Sequence, residues 1–214
     1  MSKVKVYEKK FFRVLIALAL CSSVFPSAMA ADGHVCPHRY HTFGDYTLNG
    51  GVGNYGSANR YYWIDASAFS SSQISSIISA AQTWVYTSSA IGVTTPISIE
   101  RTTTQSSSVF DVYKKYLGVN TLGQTEFWTY STHHALTNGA LSTNYGYTKI
   151  YINTYESSMT GKQLQSTIAH EFGHAFGLSH RQTVPSSIMC QTKYGRTAIR
   201  ASASDLQTIN HLYA

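Results

Sequence analysis

Charge and cysteine are scarce in this chain of 214 residues, and no long apolar run follows its first thirty. Asp, Glu, Lys and Arg make up 12% of it, against roughly 25% in ordinary soluble domains. The formal net charge of +6 sits mostly at the N-terminus, where Lys3, Lys5, Lys9, Lys10 and Arg13 face only Glu8. Without that local +4 the rest carries +2, which gives no ground for a nucleic-acid partner or a charged membrane surface. Three cysteines are too few for a disulfide-stapled scaffold. The lack of a repeat, a heptad pattern or a second apolar span excludes solenoids, coiled coils and stable membrane insertion.

What is present begins with an export signal. The basic stretch leads into the apolar "VLIALALCSSVF" and then "PSAMA", with small residues Ala28 and Ala30 at the −3 and −1 positions. That order is a secretory signal peptide cleaved after Ala30. Its apolar run is too short to span a bilayer comfortably. Lipoprotein processing at Cys21 would want a small residue where bulky Leu20 stands. The expectation is a secreted, extracellular chain of 184 residues, taken as a monomer. An N-terminal extended segment (31–59), rich in Gly, Asn and His, precedes one domain (60–214).

Within that domain, residues 60–69, 96–102, 108–116, 124–132 and 148–155 have the β-branched and aromatic content of strands. In the first, Tyr61, Trp63 and Asp65 share a face. Residues 72–89 carry Ile74, Ile77, Ile78, Ala81, Trp84 and Val85 at three-to-four spacing, an amphipathic helix with N-cap candidates at 70–72. Thr160 with Gln163 reads as a capping box opening a helix that buries Leu164, Ile168, Phe172 and Phe176. Residues 202–214 form a closing helix with Leu206, Ile209, Leu212 and Tyr213 facing inward. Strand, helix, several strands, helix, loop, helix is the order of one α/β (α+β) domain on a mixed sheet.

The chemistry lies in "IAHEFGHAFGLSH", residues 168–180. His170 and His174 are four apart on a helix, so both imidazoles leave one face and can meet one zinc ion. Glu171 points toward the same place without easy access to that ion, the position of a base for a metal-bound water. Gly177 can take the left-handed conformation and turn the chain back, so that His180 arrives as a third ligand. Three protein ligands leave a fourth position open, as in catalytic zinc sites.

The whole run, H-E-x-x-H-x-x-G-x-x-H followed nine residues later by Met189, resembles the metzincins. "GLSH" and "SSIM" resemble their matrixin branch. The tail "SDLQTINHLYA" is similar to the matrixin closing helix, with Asp205 at an acidic position. "RYYWID", the Trp84 helix and "KIYIN" occupy the places of the first strand, first helix and last strand. The resemblance covers about residues 60–214, with specific motifs only in the last third. It implies a metzincin-like mixed twisted sheet with an active-site helix, a Met-turn at Met189 and a C-terminal helix. It also implies zinc-dependent hydrolysis of protein or peptide substrates, with Glu171 as general base and one catalytic zinc. Met189 would form an apolar floor beneath the histidines without binding the metal. Residues 124–132 are the expected substrate-binding edge. Tyr194 could line the specificity pocket or assist the oxyanion, or simply pack.

Some family features have no counterpart. Residues 117–147 lack the oxygen-rich calcium and second-zinc pattern, and adjacent His133 and His134 have no carboxylates beside them. Structural calcium is therefore not expected. Arg181 stands where matrixins usually have Ser, and no prodomain is expected. In "HVCPHRYH", Cys36 sits among His34, His38 and His41. It could act as a latency switch, join those histidines in a second metal site, or pair with Cys190. A Cys36–Cys190 disulfide is the expectation for two cysteines in an exported chain. The rival functions are a secreted zinc-binding adhesin or pseudo-protease, against which Glu171 speaks, and a processing protease dedicated to one partner.

Overall fold

A computed structural model describes residues 40–155, 159 and 161–214. The expected signal peptide, His34, Cys36, His38 and the Thr160 cap lie outside the described residues. The strands are β1 (Tyr61–Ile64), β2 (Glu100–Thr102), β3 (Phe110–Lys115), β4 (Gly123–Thr129), β5 (Thr132–His134) and β6 (Tyr147–Asn153). The helices are α1 (Ser71–Val85), α2 (Ser88–Ile91), α3 (Gly161–Ala175) and α4 (Ala203–Tyr213). No helix among the described residues is long and apolar enough to cross a membrane.

The six strands form one mixed sheet in the order β2-β1-β3-β6-β4-β5. β1, β2, β3 and β6 run parallel, β4 pairs antiparallel with β6, and β5 pairs antiparallel with β4. Alternation sorts the faces. Tyr62, Ile64, Phe110, Val112, Phe127, Ile150 and Ile152 are buried on one side, where Phe172 of α3 meets Tyr62 and Phe110 edge-on. The other side carries Trp63, Tyr113 and Tyr151 in successive ring contacts and Lys149 over Trp128.

Several expected elements end early, each for a local reason. The first strand stops at Ile64, where Asp65 accepts from Ser67 Oγ at 2.6 Å and the chain turns. The 72–89 helix begins at a capping box of Ser70 and Gln73 and ends at Val85, because Tyr86 leaves helical geometry at ψ 69°; residues 88–91 form the separate α2. Only 100–102 of 96–102 enter the sheet: the Ser98 N–H donates to Val52 O and Pro96 O accepts from Tyr55, so the upstream part pairs with the N-terminal segment. The 124–132 strand breaks at Tyr130, φ +52°, into the β4–β5 hairpin.

The described part of the N-terminal segment is anchored. Phe43, Leu48 and Val52 are core residues. Thr42 bridges Leu178 antiparallel, the Phe43 N–H donates to Gly177 O at 3.1 Å, and the Ser179 N–H donates to His41 O at 2.9 Å. Residues 41–43 thus strap the chain just beyond α3.

Candidate metal centre

Burial on all sides marks α3: every residue from Thr167 to Ala175 is buried. Trp84 of α1 fixes the helix by donating its indole N–H to Ala169 O at 2.9 Å. At its end the Gly177 N–H donates to His174 O at 2.8 Å and the Leu178 N–H to Gly173 O at 3.0 Å, the bond pattern of a Schellman cap. Gly177 holds φ +94°, and an added Cβ would come 3.1 Å from Tyr46 O. Both constraints require glycine, and the chain reverses there as its place in the motif predicts.

The reversal brings three imidazoles together. His174 Nε2 lies 3.1 Å from His170 Nε2 and 3.1 Å from His180 Nε2. His170 Nδ1 is 2.7 Å from Ile188 O, and His174 Nδ1 is 2.7 Å from Leu178 O. A carbonyl oxygen only accepts, so both Nδ1 atoms carry the proton and both Nε2 atoms present lone pairs. Two lone pairs at that distance repel rather than bond, unless a cation lies between them. Zinc–nitrogen bonds of about 2.0–2.1 Å in tetrahedral geometry would place ligand nitrogens about 3.3 Å apart, so the donor set fits zinc. Among the described residues, these three form the group of His, Cys, Asp or Glu side chains suited to hold a metal ion.

The electrostatics agree. Burial, aided by the charges of Arg196 and His180, pushes the His170 pKa down to about 3. Burial, with His170 and His180, pushes that of His174 well below its ordinary value. Both rings are therefore neutral near neutral pH, as metal ligation requires.

Glu171 leaves the helix beside this cluster, toward β4. Thr125 Oγ1 donates to Glu171 Oε2 at 2.8 Å. Burial raises the Glu171 pKa to about 7, against the lowering effects of the Thr125 bond and Arg196. A carboxyl titrating there can take a proton and give it back. The sequence reading missed Gly123: a Cβ there would fall 2.8 Å from Glu171 Oε1, so the glycine is the space the carboxylate occupies.

Met189 is fully buried. A Cβ on Gly173 would meet its sulfur, so the methionine packs onto bare helix backbone between the two α3 histidines in sequence. The loop carrying Met189 is held by Asp205. Its Oδ1 accepts from Ser187 Oγ at 2.5 Å and lies 3.1 Å from His41 Nε2, while its Oδ2 accepts from the Ile188 N–H at 3.1 Å. Burial works to raise the Asp205 pKa, but the bonds from His41, Ser187 and Ser202 outweigh it and hold it below the carboxylate norm. His41, grouped by sequence with Cys36 as a second-site ligand, is engaged here instead.

Tyr194 stands half-exposed on the turn Thr192–Tyr194, its ring 5.0 Å from Lys193 Nζ. His133 and His134, adjacent on β5, point to opposite faces of the sheet, and His133 packs on Trp128. Cys190 is a buried free cysteine among the described residues, and Cys36, its expected partner, lies outside them. Arg196, another residue that spacing did not reveal, donates to Cys190 O and Ser166 Oγ, each at 3.2 Å.

Residues 71–214 match the family model of the matrixins, a peptidase family. No curated protein matches the sequence. Among solved structures, the fold is similar to that of myroilysin, with a TM-score of 0.45 and 12% identity, covering 73% of this chain and 92% of that one.

Proposed function

The chain belongs to the matrixin family and is a zinc metallopeptidase by that membership; from this premise we propose that it is a secreted endopeptidase with Glu171 as its general base. The observation that supports the reading best is the join between ligands and base: three convergent Nε2 atoms and, one residue from the first ligand, a buried carboxyl titrating near 7. His170, His174 and His180 would hold zinc. When bound, zinc polarises the scissile carbonyl and acidifies a water molecule.

The protein's own groups do the rest. Glu171 accepts the proton of the attacking water on its carboxylate and returns it to the leaving amine. Thr125 fixes which oxygen is free: Oε2 accepts its hydroxyl, leaving Oε1, beside Gly123, as the proton carrier. β4 supplies the substrate edge. β5 pairs only residues 127–129 of β4, and bonds to β6 use Leu122 and Trp128. By alternation, the backbone groups of Gly123 and Thr125 point away from β6, and an extended peptide could pair with them. A zinc-binding adhesin would have no use for a buried carboxyl held in this way.

The test is a mixed peptide library with its cut sites mapped, run with the intact protein, after chelation and after zinc is restored. Internal cleavage lost on chelation and regained with zinc is expected. Cleavage that survives chelation would overturn the metallopeptidase reading, and trimming from the termini alone would overturn the endopeptidase assignment.

A further inference from the structure

Arg196 is a partly buried cation. Burial lowers its pKa, and no carboxylate of the described residues lies within ion-pairing distance of it. Such a charge is costly to keep unless something of opposite sign meets it. Among the described residues, the buried acids around α3 and the Met189 loop are engaged elsewhere: Asp205 is committed to His41 and Ser187, and Glu171, whose charge acts on Arg196 from beyond ion-pairing distance, accepts from Thr125.

Its position is specific. Ser166, His170 and His174 stand at i, i+4 and i+8 on α3, one stripe of the helix. The Arg196 Nη2 donates to Ser166 Oγ and Nη1 to Cys190 O, the residue after Met189. The guanidinium therefore spans the gap between the metal-binding stripe and the Met189 loop, one turn from His170. Its charge acts on both His170 and Glu171. Two of the five N–H donors of a guanidinium are used by these bonds. The residue is partly exposed, and three N–H donors remain for a ligand. On the far side, the Thr197 N–H donates to Pro185 O at 2.9 Å, which holds the loop in place.

We infer that Arg196 is a specificity-determining residue that receives a substrate carboxylate adjoining the scissile bond. The inference rests on the peptidase reading above. A carboxylate fits because a planar guanidinium bonds it through two parallel N–H groups. The carboxylate could be an Asp or Glu side chain on either flank of the cut, or the free C-terminus of a short substrate.

Matched peptides separate these sources: one with Asp before the cut, one with Asp after it, one with Leu at both places, and a pair ending in carboxylate or amide near the cut. We expect kcat/KM to favour one carboxylate-bearing peptide over its neutral twin by about tenfold or more, as for a charged hydrogen bond removed from water. Arg196→Gln should erase that ratio, and Arg196→Glu should invert it toward Lys-bearing peptides. A purely tethering role for Arg196 would lower all rates together and leave the ratio intact, and that result overturns the inference. Binding gives a separate readout. Dye-labelled acidic and neutral peptides are titrated against zinc-loaded Glu171→Gln protein, with and without Arg196→Gln. If no peptide is cut by the wild type, the peptidase reading fails, and discrimination lost with Arg196→Gln still supports the carboxylate site. Equal binding of both peptides overturns it.

Discussion

Two groups of histidines in one domain reach opposite ends. His133 and His134 are neighbours in sequence, yet a strand sends adjacent side chains to opposite faces and they cannot share an ion. His170, His174 and His180 are spread over eleven residues, yet their Nε2 atoms converge. The difference lies behind the rings. Two of the three α3-linked imidazoles donate Nδ1–H to fixed carbonyls, Ile188 O and Leu178 O, whereas His133 leans on Trp128 at the rim. Nearness in sequence does not make a ligand set. A helix turn, a reversal and an anchored second nitrogen do.

The comparison can be broken most sharply at its centre. His174→Ala removes the nitrogen that touches both others, and zinc should no longer survive gel filtration with the protein, as read by elemental analysis; retention of one zinc per chain would refute the ligand set. Glu171→Ala should keep the zinc but lose about 1,000-fold or more in kcat/KM, since a positioned base and its water are both lost. Gly123→Ala should cost about 100-fold in activity by displacing the Glu171 carboxylate, with zinc content unchanged. Near-wild-type turnover would show that the carboxylate does not need that space.

A smaller effect separates the groups by pH. In zinc-free protein, His170 and His174 stay neutral well below the ordinary imidazole pKa, while the unfolded chain protonates them near 6.5. Their contribution to stability is present above that pH and is lost as pH falls below it, by up to about 1.4 kcal/mol per pH unit for each ring. Glu171, raised to about 7, acts oppositely: the folded state takes its proton first and gains stability as pH falls from about 7 to 4.5. Urea midpoints between pH 4.5 and 6.5 should therefore fall more steeply for Glu171→Gln than for wild type. Identical slopes would contradict the raised carboxyl. The smallest effect is expected for His133→Ala, with zinc content and kcat/KM within about twofold of wild type; loss of zinc there would dissolve the contrast.

Much of this was legible in the sequence, for reasons that are local. The alternation in "KIYIN", the helical spacing up to Trp84 and the histidine spacing in α3 each report on neighbours a few residues away. Ser70 and Gly177 declare a cap and a reversal by their own chemistry. What stayed hidden depends on distant contacts. Gly123 is an unremarkable glycine until Glu171, 48 positions later, lies against it. Thr125 and Arg196 gain their roles only when β4 and the Met189 loop close on α3. The sequence groups His41 with its neighbour Cys36, whereas the fold sets its Nε2 3.1 Å from Asp205 Oδ1.

The bond from His174 Nδ1 to Leu178 O makes the end of α3 and the orientation of a ligand a single event. Fraying of that last turn takes away the carbonyl that holds the imidazole, so opening of the cap loosens the ligand. Metal release and local melting of the cap should therefore be coupled, with a bound ion slowing amide opening. In hydrogen-exchange terms, the Gly177 and Leu178 amides, which close the cap, should exchange slowly in the zinc-loaded protein and speed up on chelation before the sheet does. The Ser179 amide, paired to the strap at His41 O, should follow them, so that a metal lost at one end of the helix is felt first by the segment laid across it.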